Sequence, residues 1–244
     1  MQKFINATLS ACIEIRELIR TNEDESAYLP IKKGAGGDMS IGFDIWAEEI
    51  FVKHLKTFGT ISSEESGIIG EGEHLIIIDP IDGSDNLKTA FPYYGASVAL
   101  TLKDETLIGV VCNLATGECF VRDAQEHFTT NLDDISQHSC IVKNMHAKVG
   151  LFEKAGLHPG AARKLMDIGL KFRAPGAVAL SLAYAHYVNY VVFLGTMRPY
   201  DVAAGLYLCK DLHCYTGDDV LIISKDKVLF EQLLDIFELP KDIL

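Results

Sequence analysis

Several features that would direct a first interpretation are missing from this sequence. No two of the six cysteines have the C-x-x-C spacing, and none has a histidine at the spacing of a zinc site. No apolar run is long enough to cross a membrane. No segment is dominated by proline, serine or glycine, so neither a disordered arm nor a flexible linker is indicated. These absences favour a globular protein in a reducing, cytoplasmic setting, without a membrane or a structural zinc.

Positive charge is also scarce. The chain has 22 Lys and Arg against 34 Asp and Glu, which gives a formal net charge of -12. Such a surface repels the phosphate backbone of nucleic acids, and the basic residues are scattered rather than clustered. Nucleic acid is therefore not expected as a partner. An anionic substrate would need local cations, which a bound metal ion supplies more readily than this surface.

The first half of the chain indicates helices followed by strands. Apolar residues at helical spacing begin at Phe4, and a second helix is predicted over 45–58, with Gly59 at its end. The β-branched run 75–78 predicts a strand that is buried on both faces. An antiparallel meander is predicted from three further runs, over 96–102, 107–113 and 119–122.

The second half alternates helix and strand signals. Its predicted elements are a helix over 176–186, a strand over 190–194, a helix after Asp201, a strand over 220–224 and a helix over 227–237. The polar, weakly periodic segment 123–148 separates the two halves, and we place a domain boundary within it. The sequence thus predicts an α+β domain over 1–133, which carries the main acidic motif, and an α/β domain over 134–244, which supplies Asp201 and substrate contacts.

Acidic residues gather where the predicted elements end. They are Asp38, Asp44, Glu64, Glu65, Asp79 and Asp82, with Asp201 further downstream. Carboxylates brought together are costly to remove from water unless a cation joins them. Asp79 ends an apolar strand and Asp82 follows after a turn restricted by Pro80, so both side chains can face one point outside the sheet. Oxygen ligands of this kind suit Mg²⁺.

Gly83 and Ser84 follow directly and offer unhindered backbone N–H groups. Phosphate-binding loops use such groups where the chain turns into a helix. Alternatively, Asp-Gly-Ser marks an ordinary turn and Ser84 caps the helix. A calcium loop is excluded by position, because Ile81 and Leu87 stand where a loop counted from Asp79 or Asp82 needs a ligand or a glycine.

The string Asp79-Pro-Ile-Asp82-Gly-Ser-Asp-Asn86 resembles the D-P-[IL]-D-G-[ST]-x-N signature of the inositol monophosphatase and fructose-1,6-bisphosphatase superfamily. Glu64-Glu65 ahead of it and Tyr200-Asp-Val-Ala-Ala-Gly205 after it resemble two further motifs of that family, in the same order and at similar spacing. The resemblance implies a layered αβαβα fold, usually in a homodimer. It also implies a Mg²⁺-dependent phosphatase that hydrolyses phosphate monoesters of a small polyol or sugar and is inhibited by lithium.

The same resemblance implies a set of metal ligands. Glu64, Asp79 and the backbone carbonyl of Ile81 would hold a first Mg²⁺. Asp79, Asp82 and Asp201 would hold a second, so that Asp79 bridges the two ions. Ions this close together lower the pKa of a bound water and neutralise the charge that develops at phosphorus.

The remaining catalytic roles also follow from the resemblance. Glu65 would support a third, weaker ion, so that each site holds two or three. Gly83 and Ser84 would bind the phosphate. Ser84, hydrogen-bonded to Asp38, would orient the attacking water.

Two residues shortly before Asp201 are expected to determine substrate choice. Leu194 replaces the acidic residue that binds ring hydroxyls in inositol phosphatases, and the Arg198 guanidinium offers a fork for a second phosphate or a carboxylate. Both residues are expected to line the cleft and to favour a substrate more anionic than inositol monophosphate. Alternatively, Arg198 is a solvated surface residue or pairs with a neighbouring acid.

Three hypotheses for the function remain open at this point. The first is hydrolysis of a small polyol or sugar phosphate. The second is hydrolysis of a bisphosphate such as fructose 1,6-bisphosphate or adenosine 3',5'-bisphosphate. The third is a catalytically silent binding or regulatory protein on the same fold. A silent relative would be free to lose a metal ligand, whereas every ligand position here carries the expected residue.

Overall fold

The first part of the chain forms an outer helical layer. The computed structural model describes residues 1–240. Its first elements are helix α1 (Gln2–Thr21), strands β1 (Pro30–Lys33) and β2 (Met39–Ile41), and helix α2 (Gly42–Leu55). Phe4, Ile15 and Phe51 are buried in the core that α1 and α2 share with the sheet behind them. Helix α2 ends three residues before its predicted end, because residues 56–58 already form a turn.

An eight-stranded sheet forms the second layer. Its strands are β3 (Thr60–Ser63), β4 (Gly67–Ile69), β5 (Leu75–Asp82), β6 (Gly95–Leu102), β7 (Glu105–Asn113), β8 (Glu118–Arg122), β9 (His127–Asn131) and β10 (Asp134–Cys140). Their order is β10-β9-β8-β7-β6-β5-β3-β4, and only β3 and β5 pair in parallel. The predicted central strand and meander are confirmed. The short helix α3 (Ser84–Lys88) follows β5 directly.

Strand β5 is apolar on both sides because helices cover both faces of the sheet. Ile76 and Ile78 pack in the core of the outer helices, whereas Ile77 packs against a separate core on the opposite face. This alternation carries the end of β5, with Asp79 and Asp82, to the edge of a packed layer. The acidic motif therefore sits on a rigid support.

Two helices form the middle layer between the first sheet and a second one. They are α5 (Val178–Ala183) and α6 (Pro199–Leu208). Leu180 and Ala204 pack against the first sheet, while Leu182 and Val202 pack against the second. Helix α6 begins at Pro199, a residue that suits a first helical turn, so Asp201 lies inside the helix rather than ahead of it as predicted.

The second sheet and two outer helices complete the molecule. The sheet consists of β11 (Val149–Glu153), β12 (Lys171–Arg173), β13 (Val191–Leu194), β14 (His213–Thr216) and β15 (Val220–Ser224), in the order β12-β11-β13-β15-β14. Helices α4 (Pro159–Asp167) and α7 (Lys227–Ile236) cover its outer face, where Leu165, Tyr190 and Phe230 are buried. The layers run αβαβα, which confirms the predicted fold.

The segment 123–148, interpreted above as the region between two domains, contains two strands of the first sheet. Strand β10 was missed because it is almost wholly exposed and needs no apolar pattern, and β9 was missed because Phe128 is its only apolar residue. Since β10 pairs with β9, the first sheet extends to Cys140, and the second sheet begins at Val149. The division at residues 133 and 134 stays a prediction, and it falls in the turn of a hairpin.

The cysteines and the helices bear on the expected setting. Cys112 and Cys119 face each other across β7 and β8 and form a disulfide, whereas Cys12, Cys140, Cys209 and Cys214 are free. This disulfide contradicts the expectation that all cysteines are reduced. That expectation rested on the absence of a C-x-x-C spacing, which two cysteines that meet across antiparallel strands do not need. Within residues 1–240, every helix is too short or too polar to pass through a membrane.

Candidate metal centre

A cleft of about 880 Å³ lies where β5, the glycine-rich segment 34–37 and the start of α6 come together. All predicted site residues except Leu194 line it. They are Asp38, Glu64, Glu65, Asp79, Ile81, Asp82, Gly83, Ser84, Arg198 and Asp201. The structure therefore gathers residues that are up to 163 positions apart in the sequence, since Asp38 and Asp201 share one cavity wall.

Leu194 does not take the place predicted for it. The alternation along β13 turns Val191 and Phe193 toward the middle helices and Val192 and Leu194 toward the outer helices α4 and α7. Leu194 thus packs in the outer core, and it does not line the cleft. Thr196, two residues further on, lines the cleft instead.

Three carboxylates meet at the centre of the cleft. Glu64 follows β3, Asp79 lies near the end of β5 and Asp201 lies in the first turn of α6. One ligand oxygen from each lies within 4.8 Å of the others. The residues are only 8%, 3% and 5% exposed, so little water screens their mutual repulsion.

Asp82 stands beside this group and holds the middle layer in place. Its carboxylate accepts hydrogen bonds from the backbone N–H groups of Val178, at 2.9 Å, and Leu180, at 3.0 Å. These groups belong to the first turn of α5, where the preceding Ala177 has no side chain that can cap the helix. Asp82 therefore acts as a helix cap as well as a potential metal ligand.

Burial makes the acids of this cluster hard to ionise. Burial, together with the charges of Asp201 and other nearby acids, raises the pKa of Glu64 to about 7, although Arg198 opposes this shift. Burial also raises the pKa values of Asp79 and Asp82 well above their usual range, and repulsion from neighbouring carboxylates adds to the effect. A group of acids in this condition favours any cation that can reach it.

Arg198 is the cation that reaches it in this structure. Its guanidinium forms a two-pronged contact with Asp201, with Nε and Nη2 each 3.0 Å from a carboxylate oxygen. Its Nη1 lies 2.6 Å from Glu64 Oε1 and 2.7 Å from Asp38 Oδ2. Of the two alternatives for Arg198, pairing with neighbouring acids is the one observed.

Asp38 and Ser84 both line the cleft, but they are not joined as predicted. Asp38 is hydrogen-bonded to Arg198, and its side chain is 80% exposed. Within residues 1–240 no hydrogen bond connects it to Ser84, which begins α3. The two residues could meet only after Asp38 parts from the guanidinium.

Glu65 is held from the opposite side by residues that the sequence reasoning missed. The Ser40 hydroxyl donates a hydrogen bond to the Glu65 carboxylate. The N–H of Gly36 donates to the backbone carbonyl of Glu64 at 2.7 Å, and a side chain at Gly36 would lie 2.6 Å from Glu64 Cγ. Because this contact is so close, position 36 has no room for a side chain. The only sign of this contact in the sequence is the glycine-rich run just before Asp38.

Lys154 is a second cleft residue that sequence reasoning did not identify. It follows β11, and its ammonium lies 4.8 Å from the centre of the Phe193 ring. The side chain is exposed, and within residues 1–240 it forms no salt bridge. Lys154 is therefore a positive charge in the cleft that the carboxylates leave free.

The residues of this site fit a divalent cation. Buried carboxylates with raised pKa values are the hard oxygen ligands that Mg²⁺ prefers, and Glu64, Asp79 and Asp201 already converge. The backbone N–H of Ile81 donates to Asp79 Oδ1 at 3.0 Å, which fixes the orientation of that carboxylate. This arrangement leaves other carboxylate oxygens available for an ion.

The fold and this cleft define a member of a known group of proteins. The sequence matches the inositol monophosphatase family over residues 1–214. The chain therefore belongs to that family, which confirms the resemblance of its motifs.

Individual relatives agree with this assignment. A fructose-1,6-bisphosphatase/inositol-1-monophosphatase of Archaeoglobus fulgidus is 30% identical over 115 residues, which cover 46% of this chain and 46% of that one. A Nus factor SuhB of Vibrio cholerae is 25% identical over 89% of this chain and 86% of its own length. The crystal structure of the extragenic suppressor protein suhB from Bartonella henselae superposes with a TM-score of 0.79, at 20% identity and 99% coverage of both chains. That last similarity concerns the fold.

Proposed function

We propose that this chain is a Mg²⁺-dependent phosphatase that hydrolyses the phosphate monoester of a small polyol or sugar. The observation that carries the proposal is the convergence of Glu64, Asp79 and Asp201, three buried carboxylates whose ligand oxygens lie within 4.8 Å of one another. Family membership supports the reaction class, and a cleft of about 880 Å³ has room for a sugar phosphate.

The residues that would hold metal are those around this convergence. They are Glu64, Asp79, Asp82, Asp201 and the backbone carbonyl of Ile81, with Glu65 as a further ligand. Bound there, Mg²⁺ would supply an activated water and neutralise charge on the phosphoryl group. Gly83 and Ser84, at the start of α3, would orient the phosphate, and Asp38, once free of Arg198, would accept a proton from water.

Lys154 and Thr196 support a role for the far wall of the cleft in binding the rest of the substrate. The free ammonium of Lys154 suits an anionic or hydroxyl-rich group. Fructose 1,6-bisphosphate and adenosine 3',5'-bisphosphate therefore remain the main alternatives to a simple monophosphate. Of the two residues on which this preference rested, Leu194 lies outside the cleft and Arg198 is bound by acids.

The decisive experiment is phosphate release from a panel of inositol 1-phosphate, fructose 1,6-bisphosphate and adenosine 3',5'-bisphosphate. We expect turnover of at least one compound with Mg²⁺ and none in excess chelator, with the Asp79→Asn variant as an inactive control. Undiminished turnover in chelator would contradict the metal requirement.

The same panel tests a non-catalytic function. Five of the relatives carry the name Nus factor SuhB, so a binding or regulatory role is the alternative that the panel tests. A protein that binds Mg²⁺ but releases phosphate from no compound would favour that alternative.

The cytoplasmic setting, the homodimer and the absence of nucleic acid as a partner stay predictions.

A further inference from the structure

Arg198 occupies the part of the cleft in which the proposed ion needs ligands. The guanidinium contacts both oxygens of Asp201 and Oε1 of Glu64, two of the three carboxylates that converge there. The third, Asp79, makes no hydrogen bond with it. One positively charged side chain thus shares its main partners with the cation of the proposed function.

Arg198 is the basic side chain that contacts these acids directly. Among residues 1–240, Arg198 is the only Lys or Arg that forms a salt bridge with Glu64, Glu65, Asp79, Asp82 or Asp201. Burial tends to lower the pKa of Arg198, but hydrogen bonds to Asp201 and the charges of Asp201, Glu64 and Asp38 raise it overall. The guanidinium therefore stays charged and partly neutralises a cluster that would otherwise repel itself.

The two cations would compete for these oxygens. Mg²⁺ binds oxygen at about 2.0–2.1 Å and demands near-octahedral geometry. The guanidinium already lies 2.6 Å from Glu64 Oε1 and spans both oxygens of Asp201. An ion bound to the same oxygens would lie next to the charged guanidinium of Arg198, and the site has little water to screen their repulsion.

We propose that Arg198 is an internal counterion of the carboxylate cluster, and that its guanidinium leaves Glu64 and Asp201 when a divalent cation binds. This inference rests on the proposed function, since it assumes that the cluster takes such a cation. The side chain has freedom to move, because Arg198 precedes α6 and its long side chain is already 30% exposed.

Release of Arg198 would also free Asp38. The same Nη1 atom that contacts Glu64 holds Asp38 Oδ2 at 2.7 Å and lies 3.4 Å from the carbonyl of Gly36. One side chain therefore connects the segment 36–38 to α6. When the guanidinium leaves, the water-activating acid becomes available and a positive charge turns toward the substrate.

The test compares the metal-binding of variants rather than their turnover. Binding of Mg²⁺ is measured by calorimetry, and melting temperatures are measured without metal and at saturating Mg²⁺. We expect Arg198→Ala to lower the melting temperature of the metal-free protein, to leave that of the Mg²⁺-bound protein close to wild type, and to tighten the Kd by about fivefold or more. Arg198→Lys keeps the charge but loses the fork, so its values should fall between the two.

Lys154→Met is the matched control, because it removes a positive charge from the same cleft that contacts none of the carboxylates. Its Kd should change by no more than about twofold, as expected for a solvent-screened charge. If Arg198→Ala gains no more stability from Mg²⁺ than wild type and binds it equally tightly, the counterion proposal is wrong. If Arg198→Ala does not fold, a Kd for Arg198→Lys equal to that of wild type overturns it. If wild type binds no Mg²⁺ at all, the proposed function fails first.

Discussion

The Asp82 carboxylate accepts a hydrogen bond from the backbone N–H of Val178, 96 residues away in the sequence. A second bond, from Leu180, makes this acid the cap of α5. The residue that belongs to the acidic motif therefore also fixes the middle layer of the fold. Substitutions at Asp82 act on both functions, and the two effects can be separated.

We expect both Asp82→Asn and Asp82→Ala to abolish phosphatase activity and to remove most of the stabilisation by Mg²⁺. They should differ in the metal-free state. Asn keeps one hydrogen-bond acceptor for α5 and removes a carboxyl group whose pKa is raised by burial. The Asp82→Asn variant should therefore unfold at no lower a temperature than wild type. Ala leaves both N–H groups without a partner and should be less stable than Asn by about 1–2 kcal/mol. Urea denaturation in chelator measures the difference, and equal stabilities would exclude the cap.

A second prediction concerns Gly83, which has φ +86° between β5 and α3. An added Cβ would lie 3.0 Å from the Cβ of Ala177 and 3.1 Å from the carbonyl oxygen of Tyr93. Gly83→Ala therefore combines backbone strain with crowding, and we expect a loss of about 2–3 kcal/mol together with a lower kcat.

Gly176→Ala is the control for Gly83→Ala. Gly176 has the same φ, but its nearest neighbour would be Asn86 at 3.5 Å, an ordinary contact. This variant should lose only about 1 kcal/mol, the cost of the left-handed conformation alone. Equal losses in the two variants would show that crowding at Gly83 has no effect.

The sequence predicts which residues of the acidic motif line the cleft, because one local string carries them. Asp79, Ile81, Asp82, Gly83 and Ser84 are consecutive or nearly so, and a strand followed by a turn and a helix leaves them few arrangements. The layered fold could be predicted for a similar reason, since β5 and the meander have continuous apolar runs.

Contacts between segments that are distant in the sequence could not be predicted in this way. The bond from Arg198 to Asp38 spans 160 residues, and no local pattern specifies it. Leu194 was misplaced because its proximity to Asp201 in the sequence says nothing about which face of β13 it occupies. Strand β10 was not predicted because an exposed strand needs no apolar alternation, and β9 was not predicted because Phe128 is its only apolar residue.

A third prediction concerns pH and metal affinity. The pKa of Glu64 is raised to about 7 by burial and by the charge of Asp201, and a protonated carboxyl group is a poor metal ligand. Binding of Mg²⁺ should therefore weaken as the pH falls, by about tenfold between pH 8 and pH 6. In the metal-free protein the sign is opposite, because the folded state then holds a proton that the unfolded state has released. The contribution of Glu64 to folding is therefore fully present below about pH 4.5, the usual pKa of a glutamate, and is lost as the pH rises from there through about 7.

Calorimetry at pH 6 and pH 8 measures the affinity, with the number of protons released on binding as a second readout. Glu64→Gln removes the titrating group, so whatever affinity remains should depend less on pH. Equal Kd values for wild type at the two pH values would contradict a raised pKa at Glu64.

The last prediction concerns a cluster of polar side chains away from the cleft, in which His186 is buried and Asp211 is exposed. Asp211 accepts hydrogen bonds from Arg122 at 2.5 Å and His186 at 3.0 Å, and Lys143 lies 3.2 Å from it. The His127 ring packs edge-on against His186, and its Nε2 atom is buried without a partner. Burial lowers the pKa of His127 to about 4, helped by the charges of His186 and Arg122, although Asp211 opposes the shift. The group joins the first sheet to the loop after α6.

His127 should therefore destabilise the fold in acid. Between pH about 6.5, where an unfolded histidine takes up a proton, and pH about 4, the unfolded state binds a proton that folded His127 does not, so stability falls as the pH falls. His127→Phe keeps a ring against His186 and removes the titration, so its free energy of unfolding should fall less than that of wild type between pH 7 and pH 5. Urea denaturation at both pH values measures the free energy of unfolding. Comparing the change in wild type with the change in the variant cancels the contribution of the other titrating groups. His146→Gln, at an exposed histidine, should behave like wild type. If His127→Phe loses as much stability as wild type over this range, His127 does not stay neutral in the folded protein.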